Sequence, residues 1–460
     1  MKRLIAFSLF LVISLGLLFS CGKKEPPAEA YIDGVHLSEY SVVYPSAGLD
    51  YDKRAADFIA AEIKARTGIE LSVVSDATVM AEHEIVVGET TRDISASLQA
   101  ECEGFEFALF AEGGHIALEG DYFIIAAAAY YFIDTYVTGR DFSTNLPSEV
   151  TVCEPIMKEA KNFIFLIGDG MGVNHTLLFD EYENDIEFGD GEDFFYGYLF
   201  PNMGYSSTES LSGITDSAAG GTALSCGYKT YNEHVCRDKD GADIQSLTEL
   251  ASVLGKATAV MSTEVETGAT PSTFSAHASN RDDKSVITQS QLQTMQKYGT
   301  VIDCGFDYYT ERMINNSLEK HITDTLAKIS ADPDGFFIMY EEAHIDKHGH
   351  SGDLDKTFQA VVRFNQAIAR FMEFAFYHPD TLVLITADHE TGDLKKGEDG
   401  KYAYNSDYHT THDVPVFVWG MGGEVFDGLT VENIQIAHTM AGFMGEYNFG
   451  DQSEYGCLID

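Results

Sequence analysis

The stretch FFIMYEEAHIDKHGH, Phe336–His350, begins as an apolar run and ends in side chains that commonly bind metal ions. The run predicts a buried strand, and Glu341, Asp346 and His350 come where that strand ends. Open α/β sheets keep their binding sites at the carboxyl ends of strands. An Asp and a His four residues apart can share one Zn²⁺, whereas Glu341 suits a harder ion such as Mg²⁺. A solvated loop after a strand would look the same in isolation.

The same pattern recurs along the chain and favours a metal site over chance. Three further apolar runs neighbour such residues: Asn162–Gly168 is followed by Asp169, Thr381–Ala387 is followed by Asp388 and His389, and Pro415–Gly420 is preceded by His409. Strands that end at one edge of a sheet would bring these ligands together. The sequence therefore predicts a polynuclear metal site.

The charge of the chain excludes one class of partner. Its 460 residues include 29 Lys and Arg against 73 Asp and Glu, which gives a formal net charge of −44. Such a surface repels a nucleic-acid backbone, so no nucleic-acid binding is expected. An anionic substrate would need local cations, either metals or arginines, for its attraction. Adaptation to a salty habitat is an alternative origin of the charge.

The first residues predict export. Lys2 and Arg3 precede the apolar run Leu4–Phe19, which is short for a membrane span and typical of a secretory signal. The tetrad ending in Cys21, LFSC, resembles a bacterial lipobox. We expect a signal peptide at 1–20, a lipid attached to Cys21, a polar tether at 21–30, and anchorage to the cell envelope facing the periplasm or the cell surface. A simple signal peptide with an incidental Cys is the alternative.

Two folded units are predicted after the tether. Residues 31–155 form a small α/β domain, with strands near 40–45, 71–75 and 84–88, a helix at 51–68, a hairpin turning at Gly113-Gly114, and a helix at 122–137. This unit resembles the small α/β domain that precedes the catalytic domain in several exported glycoside hydrolases. Docking, spacing and sugar binding are its open roles. From 162 to 460, β runs alternate with helical patterns, which predicts an α/β fold with a doubly wound, mostly parallel sheet sandwiched by helices.

Six cysteines remain after Cys21, and an even number outside the cytoplasm permits disulfides. Cys226 and Cys236 are the close pair. A disulfide between them and two free buried thiols are both compatible with the sequence.

A nucleophile and an anion clamp can be predicted beside the ligands. In TDSAAGGTAL, 215–224, Ser217 precedes a run of small residues that should begin a helix, so its hydroxyl would lie among free backbone N–H groups. A plain helix cap would show the same Asp-Ser pair. A metal is the predicted activator, since no His lies nearby in sequence. Arg281 offers a fork that matches two phosphate oxygens, and Thr270 offers a hydroxyl.

Six motifs in order carry a resemblance to a known family. They are IGDGMG at 167–172, TDSAAGGTAL at 215–224, ATPSTFSAH at 269–277, IDKHGH at 345–350, TADHETG at 386–392 and HTTHDVP at 409–415. Over about 162–420 the chain resembles an alkaline phosphatase. The resemblance implies an alkaline phosphatase-like fold and a metal-dependent hydrolase that releases phosphate from small phosphomonoesters through a phosphoserine; it leaves a homodimer open.

The resemblance also implies two zinc ions and one magnesium ion. Asp346, His350 and His409 would hold the first zinc. Asp388, His389, Asp169 and the Ser217 oxygen would hold the second. Thr270, Glu341 and Asp169 would hold the magnesium, and Arg281 would clamp the substrate phosphate.

The motifs depart from the family pattern at two places. Gly268 stands where many members carry Asp or His, so we expect Lys347 to lack an acidic partner there and to contact the substrate phosphate. His412 stands near His409, and we favour His409 as the ligand. Two alternatives stay open: a phosphodiesterase or other hydrolase of the same superfamily, and an inactive surface lipoprotein that binds glycans or metals.

Overall fold

The computed structural model describes residues 28–98, 102–181, 194–305 and 316–459. The predicted signal peptide, Cys21 and most of the tether lie outside these residues. Across the described segments, every helix is either too short or too polar to cross a lipid bilayer.

The amino-terminal part contains two sheets and confirms the elements predicted for it. Its strands are β1 (Ala30–Ile32), β2 (Val35–His36), β3 (Ser41–Tyr44), β4 (Val73–Ser75), β5 (Glu84–Val87), β6 (Phe107–Glu112), β7 (His115–Glu119), β8 (Phe142–Thr144) and β9 (Thr151–Cys153). Its helices are α1 (Asp50–Thr67), α2 (Asp93–Ser97) and α3 (Ile125–Tyr136), with 3-10 turns at Leu37–Glu39 and Tyr122–Ile124. Six strands form a mixed sheet in the order β4-β3-β5-β7-β6-β9, and three form a smaller sheet, β2-β1-β8.

The carboxy-terminal part is built on one large sheet. Its strands are β10 (Asn162–Gly168), β11 (Asn202–Ser207), β12 (Ala257–Ser262), β13 (Val301–Cys304), β14 (Phe336–Glu342), β15 (Thr381–Thr386), β16 (Glu390–Thr391), β17 (Lys395–Lys396), β18 (Tyr402–Ala403), β19 (His409–Thr410), β20 (Val414–Trp419) and β21 (Thr430–Glu432). Eight of them pair in the order β13-β12-β14-β10-β15-β20-β11-β21. The first five are parallel, and β20 runs antiparallel to both of its neighbours. The predicted mostly parallel sheet is confirmed.

Helices cover both faces of this sheet. They are α4 (Val173–Thr176), α5 (Leu178–Glu181), α6 (Ser217–Cys226), α7 (Leu247–Val253), α8 (Ala269–Thr273), α9 (Lys284–Tyr298), α10 (Asn316–Ile329), α11 (His344–His350), α12 (Leu354–Tyr377) and α13 (Asn433–Phe443), with 3-10 turns at Tyr196–Leu199 and Gly423–Phe426. Alternate residues of β10 enter different cores: Phe163 and Phe165 pack in one, and Ile164 and Leu166 in the other. Burial on both faces explains why these strands read as continuous apolar runs.

The two parts share an aromatic core. Phe105, which precedes β6, is buried and packs edge-on against Phe200, Phe376 and Trp419, with ring centroids 5.2 to 5.5 Å apart. Beside this cluster, the Arg54 guanidinium on α1 donates to the Glu373 carboxylate on α12. The amino-terminal part is therefore packed against the long helix α12 by apolar contacts and by the ion pair of Arg54 with Glu373.

Candidate active site

Parallel pairing of β14, β10 and β15 brings the predicted ligands to one edge of the large sheet. Ile167 pairs with Glu341 on one side and with Thr386 on the other, so Asp169 and Asp388 follow strands that end side by side. Neither aspartate is more than 5 % exposed. The polar residues predicted at four separate places along the chain are thus neighbours.

The first group of ligands surrounds Asp346. Its Oδ1 atom lies 3.2 Å from His350 Nε2 and 3.3 Å from His409 Nε2, and these two nitrogens are 3.0 Å apart. Burial alone would raise the pKa of Asp346, but hydrogen bonds from the two histidines hold it well below its ordinary value. The same contact raises the pKa of His350 to about 9. A metal ion held by these side chains would supply the positive charge that the Asp346 carboxylate requires.

The Nδ1 atoms of three histidines are already occupied. His350 Nδ1 lies 2.7 Å from the Asp407 carbonyl, and His409 Nδ1 lies 2.8 Å from the Thr215 carbonyl. The Thr391 hydroxyl donates to Asp346 Oδ1 and lies 3.3 Å from His389 Nδ1. Because a carbonyl oxygen only accepts, Nδ1 of His350 and of His409 must carry the proton, which turns Nε2 towards the ligand cluster.

The second group contains Asp169, Asp388 and His389. His389 Nε2 lies 3.5 Å from Asp169 Oδ1, 3.4 Å from Asp388 Oδ2 and 3.3 Å from the Ser217 hydroxyl oxygen. Burial, followed by repulsion from Asp346, raises the pKa of Asp388 to about 7. Burial lowers the pKa of His389 well below its ordinary value, so its imidazole is neutral. The predicted nucleophile touches this group although it is 48 residues from Asp169 and 171 or more from Asp388 and His389 in sequence.

Three buried oxygens nearby lack a hydrogen-bond partner. They are Asp169 Oδ1, Glu341 Oε1 and Thr270 Oγ1, the residues predicted to hold magnesium. Burial, followed by the charge of Glu264, raises the pKa of Glu341 to about 8, and burial with the surrounding carboxylates raises the pKa of Asp169 well above its ordinary value. Buried polar atoms normally have partners. A site of unpaired hard oxygen ligands fits a divalent cation such as Mg²⁺.

Ser217 is the first residue of α6, as predicted. The helix is capped by Asp216, whose Oδ1 accepts a hydrogen bond from the Ala219 N–H. The small residues in α6 permit a close approach to the ligands: a Cβ atom on Gly220 would lie 2.8 Å from the Asp388 carbonyl oxygen. The serine hydroxyl therefore lies at a helix N-terminus and against the acidic cluster.

The two predicted cations lie beside acids. Arg281 Nη1 is 3.1 Å from Asp216 Oδ2. Asp216 directly precedes Ser217, so this contact holds the guanidinium beside the predicted nucleophile. Lys347 Nζ is 3.0 Å from Glu264 Oε1. The expectation that Lys347 lacks an acidic partner is wrong, because the loop after β12 carries Glu264 into the region next to Gly268. Contact of Lys347 with a substrate remains a prediction.

His412 and the close cysteine pair lie apart from the ligands. His412 Nε2 is 2.8 Å from Asp393 Oδ1 on the surface, and the residue joins neither ligand group. Cys226 and Cys236 are buried free thiols whose sulfur atoms are 3.2 Å apart. The thiols are in contact and are not joined by a disulfide.

The donor sets fit the metals that the sequence suggested. The donor atoms of Asp346, His389 and His409 lie together, as do those of Asp169, Asp388 and His389, so His389 belongs to both sets. His350 lies beside the first set, with its Nε2 3.2 Å from Asp346 Oδ1. Imidazole nitrogens with carboxylates suit Zn²⁺ in either set. The oxygens of Glu341, Thr270 and Asp169 suit Mg²⁺. Metal ions would compensate the repulsion among buried carboxylates that raises their pKa values.

Several contributing residues were not predicted from the sequence. Thr391 bridges the two ligand groups, Ser262 donates to Glu341, and Glu264 holds Lys347. Thr391 stands inside the TADHETG motif, so the motif was a signal for it. Ser262 and Glu264 carried no signal, because their role depends on the course of the backbone after β12.

Comparisons with known proteins agree with one another. A family described as alkaline phosphatase matches residues 160–303 and 302–407. Alkaline phosphatase 3 of Bacillus subtilis (strain 168) is 30 % identical over 326 residues, which cover 60 % of this chain and 70 % of that protein. Alkaline phosphatase 4 of the same strain is 27 % identical over 301 residues, covering 54 % and 65 %.

Solved structures of alkaline phosphatases also resemble this chain. The alkaline phosphatase from the Antarctic bacterium TAB5 matches with a TM-score of 0.55 and 26 % identity, covering 63 % of this chain and 99 % of that one. A mutant of that enzyme has been solved with Mg bound in its M3 site and matches with a TM-score of 0.52. The alkaline phosphatase of Thermus thermophilus, 16 % identical with a TM-score of 0.55, shares the fold.

Proposed function

The chain belongs to the alkaline phosphatase family of hydrolases, and from that premise we propose that it hydrolyses phosphate monoesters through a phosphoserine on Ser217. The observation that carries the proposal is the position of Ser217. Its hydroxyl lies at the start of α6 and 3.3 Å from His389 Nε2, at the margin of the buried carboxylates. A nucleophile, an anion-binding helix terminus and a cation-binding cluster therefore meet at one point.

The metal assignment follows the donor sets. Asp346, His350 and His409 would hold one Zn²⁺, and Asp169, Asp388, His389 and Ser217 would hold the other. Thr270 and Glu341 would hold Mg²⁺ together with Asp169. When bound, such ions supply charge for the phosphoryl oxygens and lower the pKa of hydroxyl groups and of water.

In the proposed reaction, Ser217 is the nucleophile and Arg281 binds the phosphoryl group. The Ser217 hydroxyl gives its proton to solvent as its oxygen attacks phosphorus, the bond to the ester oxygen breaks, and the alcohol leaves with a proton from solvent. Water then attacks the phosphoserine, which breaks the bond between phosphorus and the serine oxygen. The serine oxygen takes up a proton from solvent, and inorganic phosphate is released. Arg281 binds two phosphoryl oxygens through its planar fork, and Asp216 keeps that fork beside the nucleophile. The N–H groups at the start of α6 favour the anion throughout.

The decisive experiment compares Ser217→Ala with the wild-type protein on p-nitrophenyl phosphate and on its bis-ester, with bound zinc and magnesium measured in both. We expect wild-type turnover of the monoester to depend on metal and to exceed that of the diester. We expect Ser217→Ala to lose at least about 10³-fold in turnover while it keeps Mg²⁺ and most of its zinc. Ser285→Ala, an exposed serine, is the matched control. Full activity of Ser217→Ala would refute the serine mechanism, and faster turnover of the bis-ester would favour a phosphodiesterase.

The organisation of the chain is also a proposal. We propose a catalytic domain at 162–460, an accessory domain at 31–155, and an exported protein anchored to the bacterial envelope through a lipid on Cys21. The LFSC tetrad and the polar tether support the anchor. Incorporation of labelled palmitate into the wild-type protein and its absence in Cys21→Ala would test it.

A further inference from the structure

Gly268 lies at the amino end of α8, and another residue occupies the space that a side chain at this position would fill. Its φ of −56° and ψ of 159° suit any amino acid, so the backbone does not require glycine. A Cβ atom placed on Gly268 would lie 2.5 Å from Glu264 Oε2 and 2.7 Å from Glu264 Cδ. The Glu264 carboxylate and a side chain at 268 therefore exclude one another.

Glu264 is fixed on both sides of this space. Its Oε1 atom accepts from Lys347 Nζ at 3.0 Å. Its N–H donates to the Ser262 hydroxyl at 2.9 Å, and that hydroxyl donates in turn to Glu341 Oε2. The Gly305 N–H donates to the Glu264 carbonyl at 2.6 Å, which anchors the backbone at the end of β12. The carboxylate of Glu264 thus contacts the Lys347 ammonium, while its backbone is linked through Ser262 to Glu341, a predicted magnesium ligand.

We propose that Glu264 is a positioning residue that supplies, from four residues upstream, the acidic group that position 268 lacks. Its carboxylate restrains the Lys347 ammonium and orients water on a cation held by Glu341 and Thr270. This inference rests on the proposed function, because it assigns Glu264 to the magnesium end of the same site. Its chemistry is that of a carboxylate that accepts hydrogen bonds from cation-bound water.

The test measures Mg²⁺ affinity by calorimetry on the zinc-loaded intact protein, without substrate. We expect Glu264→Gln to weaken Mg²⁺ binding by about tenfold or more and to leave the zinc content unchanged, as for other groups that support metal ligands indirectly. Lys347, freed from its acid, should tighten the binding of inorganic phosphate, titrated in the same way, by about threefold, the scale of a surface ion pair. Glu266→Gln, an exposed glutamate on the same loop, is the control and should change neither constant.

Reciprocal substitution separates positioning from general damage. Removing the carboxylate in Glu264→Ala opens the space beside 268, so adding Gly268→Asp to that variant should restore most of the lost Mg²⁺ affinity. In the wild-type background, Gly268→Asp should weaken it through the clash. An unchanged Mg²⁺ dissociation constant in Glu264→Gln, or a failure of the double variant to recover affinity, overturns the inference. Because these titrations need no turnover, they decide it independently of the Ser217 experiment.

Discussion

Truncating Phe105 should destabilise the whole protein, although this residue lies in the amino-terminal part of the chain. Its ring is 5 % exposed and contacts Phe200, Phe376 and Trp419 across the interface. Replacing a buried Phe by Ala costs about 3–5 kcal/mol, from lost burial and from the cavity left behind. We expect Phe105→Ala to lower the free energy of unfolding by about 3–4 kcal/mol.

Urea denaturation can measure this change in the free energy of unfolding. Trp419 is the single tryptophan of the chain, and its ring centroid lies 5.2 Å from that of Phe105. Tryptophan fluorescence therefore reports on the surroundings of Phe105, and far-UV circular dichroism reports on the secondary structure of the whole chain. In the wild-type protein, the unfolding transitions followed by fluorescence and by circular dichroism should coincide, and Phe105→Ala should shift both to lower urea concentration. Val79→Ala, in the same domain and 95 % exposed, should change stability by less than about 0.5 kcal/mol. A loss below about 1 kcal/mol in Phe105→Ala, or a fluorescence change that precedes the loss of secondary structure in the wild type, would refute a shared core.

Two further predictions concern α6 and a partly buried ion pair. Gly220→Ala should lower zinc content and turnover together, because its Cβ would lie 2.8 Å from the Asp388 carbonyl oxygen. We expect this clash to outweigh the gain of about 1 kcal/mol in helix propensity. Metal analysis that finds full zinc in this variant would contradict the prediction. His277 pairs with Glu249 at 3.3 Å, and although burial alone would lower the pKa of His277, the glutamate raises it to about 9. A raised pKa means that the folded state binds the proton more tightly, so the pair stabilises the protein below pH 6.5 and this contribution disappears as the pH rises through about 9. The free energy of unfolding of the wild-type protein should fall by about 2 kcal/mol between pH 7 and pH 10, and Glu249→Gln should abolish this fall. An equal fall in both proteins would exclude this ion pair as the cause.

The sequence predicted those parts of the site that depend on strand order. Asp169, Asp388 and Glu341 follow or end apolar runs, and parallel strands place such positions at one edge whatever the intervening chain does. Ser217 was found through its run of small residues, and the structure explains that run by the approach of Gly220 to Asp388. Fold class and ligand neighbourhood therefore followed from local pattern.

The rest depended on backbone paths that no local pattern records. Glu264 reaches the space beside Gly268 because of how the loop after β12 turns, and the sequence showed only a missing acid. The sharing of His389 between the two ligand groups follows from the side-chain geometry at the end of β15. Phe105 gave no sign of an interface, because a buried aromatic residue reads the same whichever domain contributes its neighbours.

The carbonyl partners of His350 and His409 also bear on how this protein can evolve. A carbonyl belongs to the main chain, so the side chains at Asp407 and Thr215 can be exchanged without altering which imidazole nitrogen carries the proton. An insertion or deletion in either loop would move the carbonyl itself and free the ring to turn. The length of these two loops, rather than the side chains at 407 and 215, therefore sets which imidazole nitrogen faces the ligand cluster.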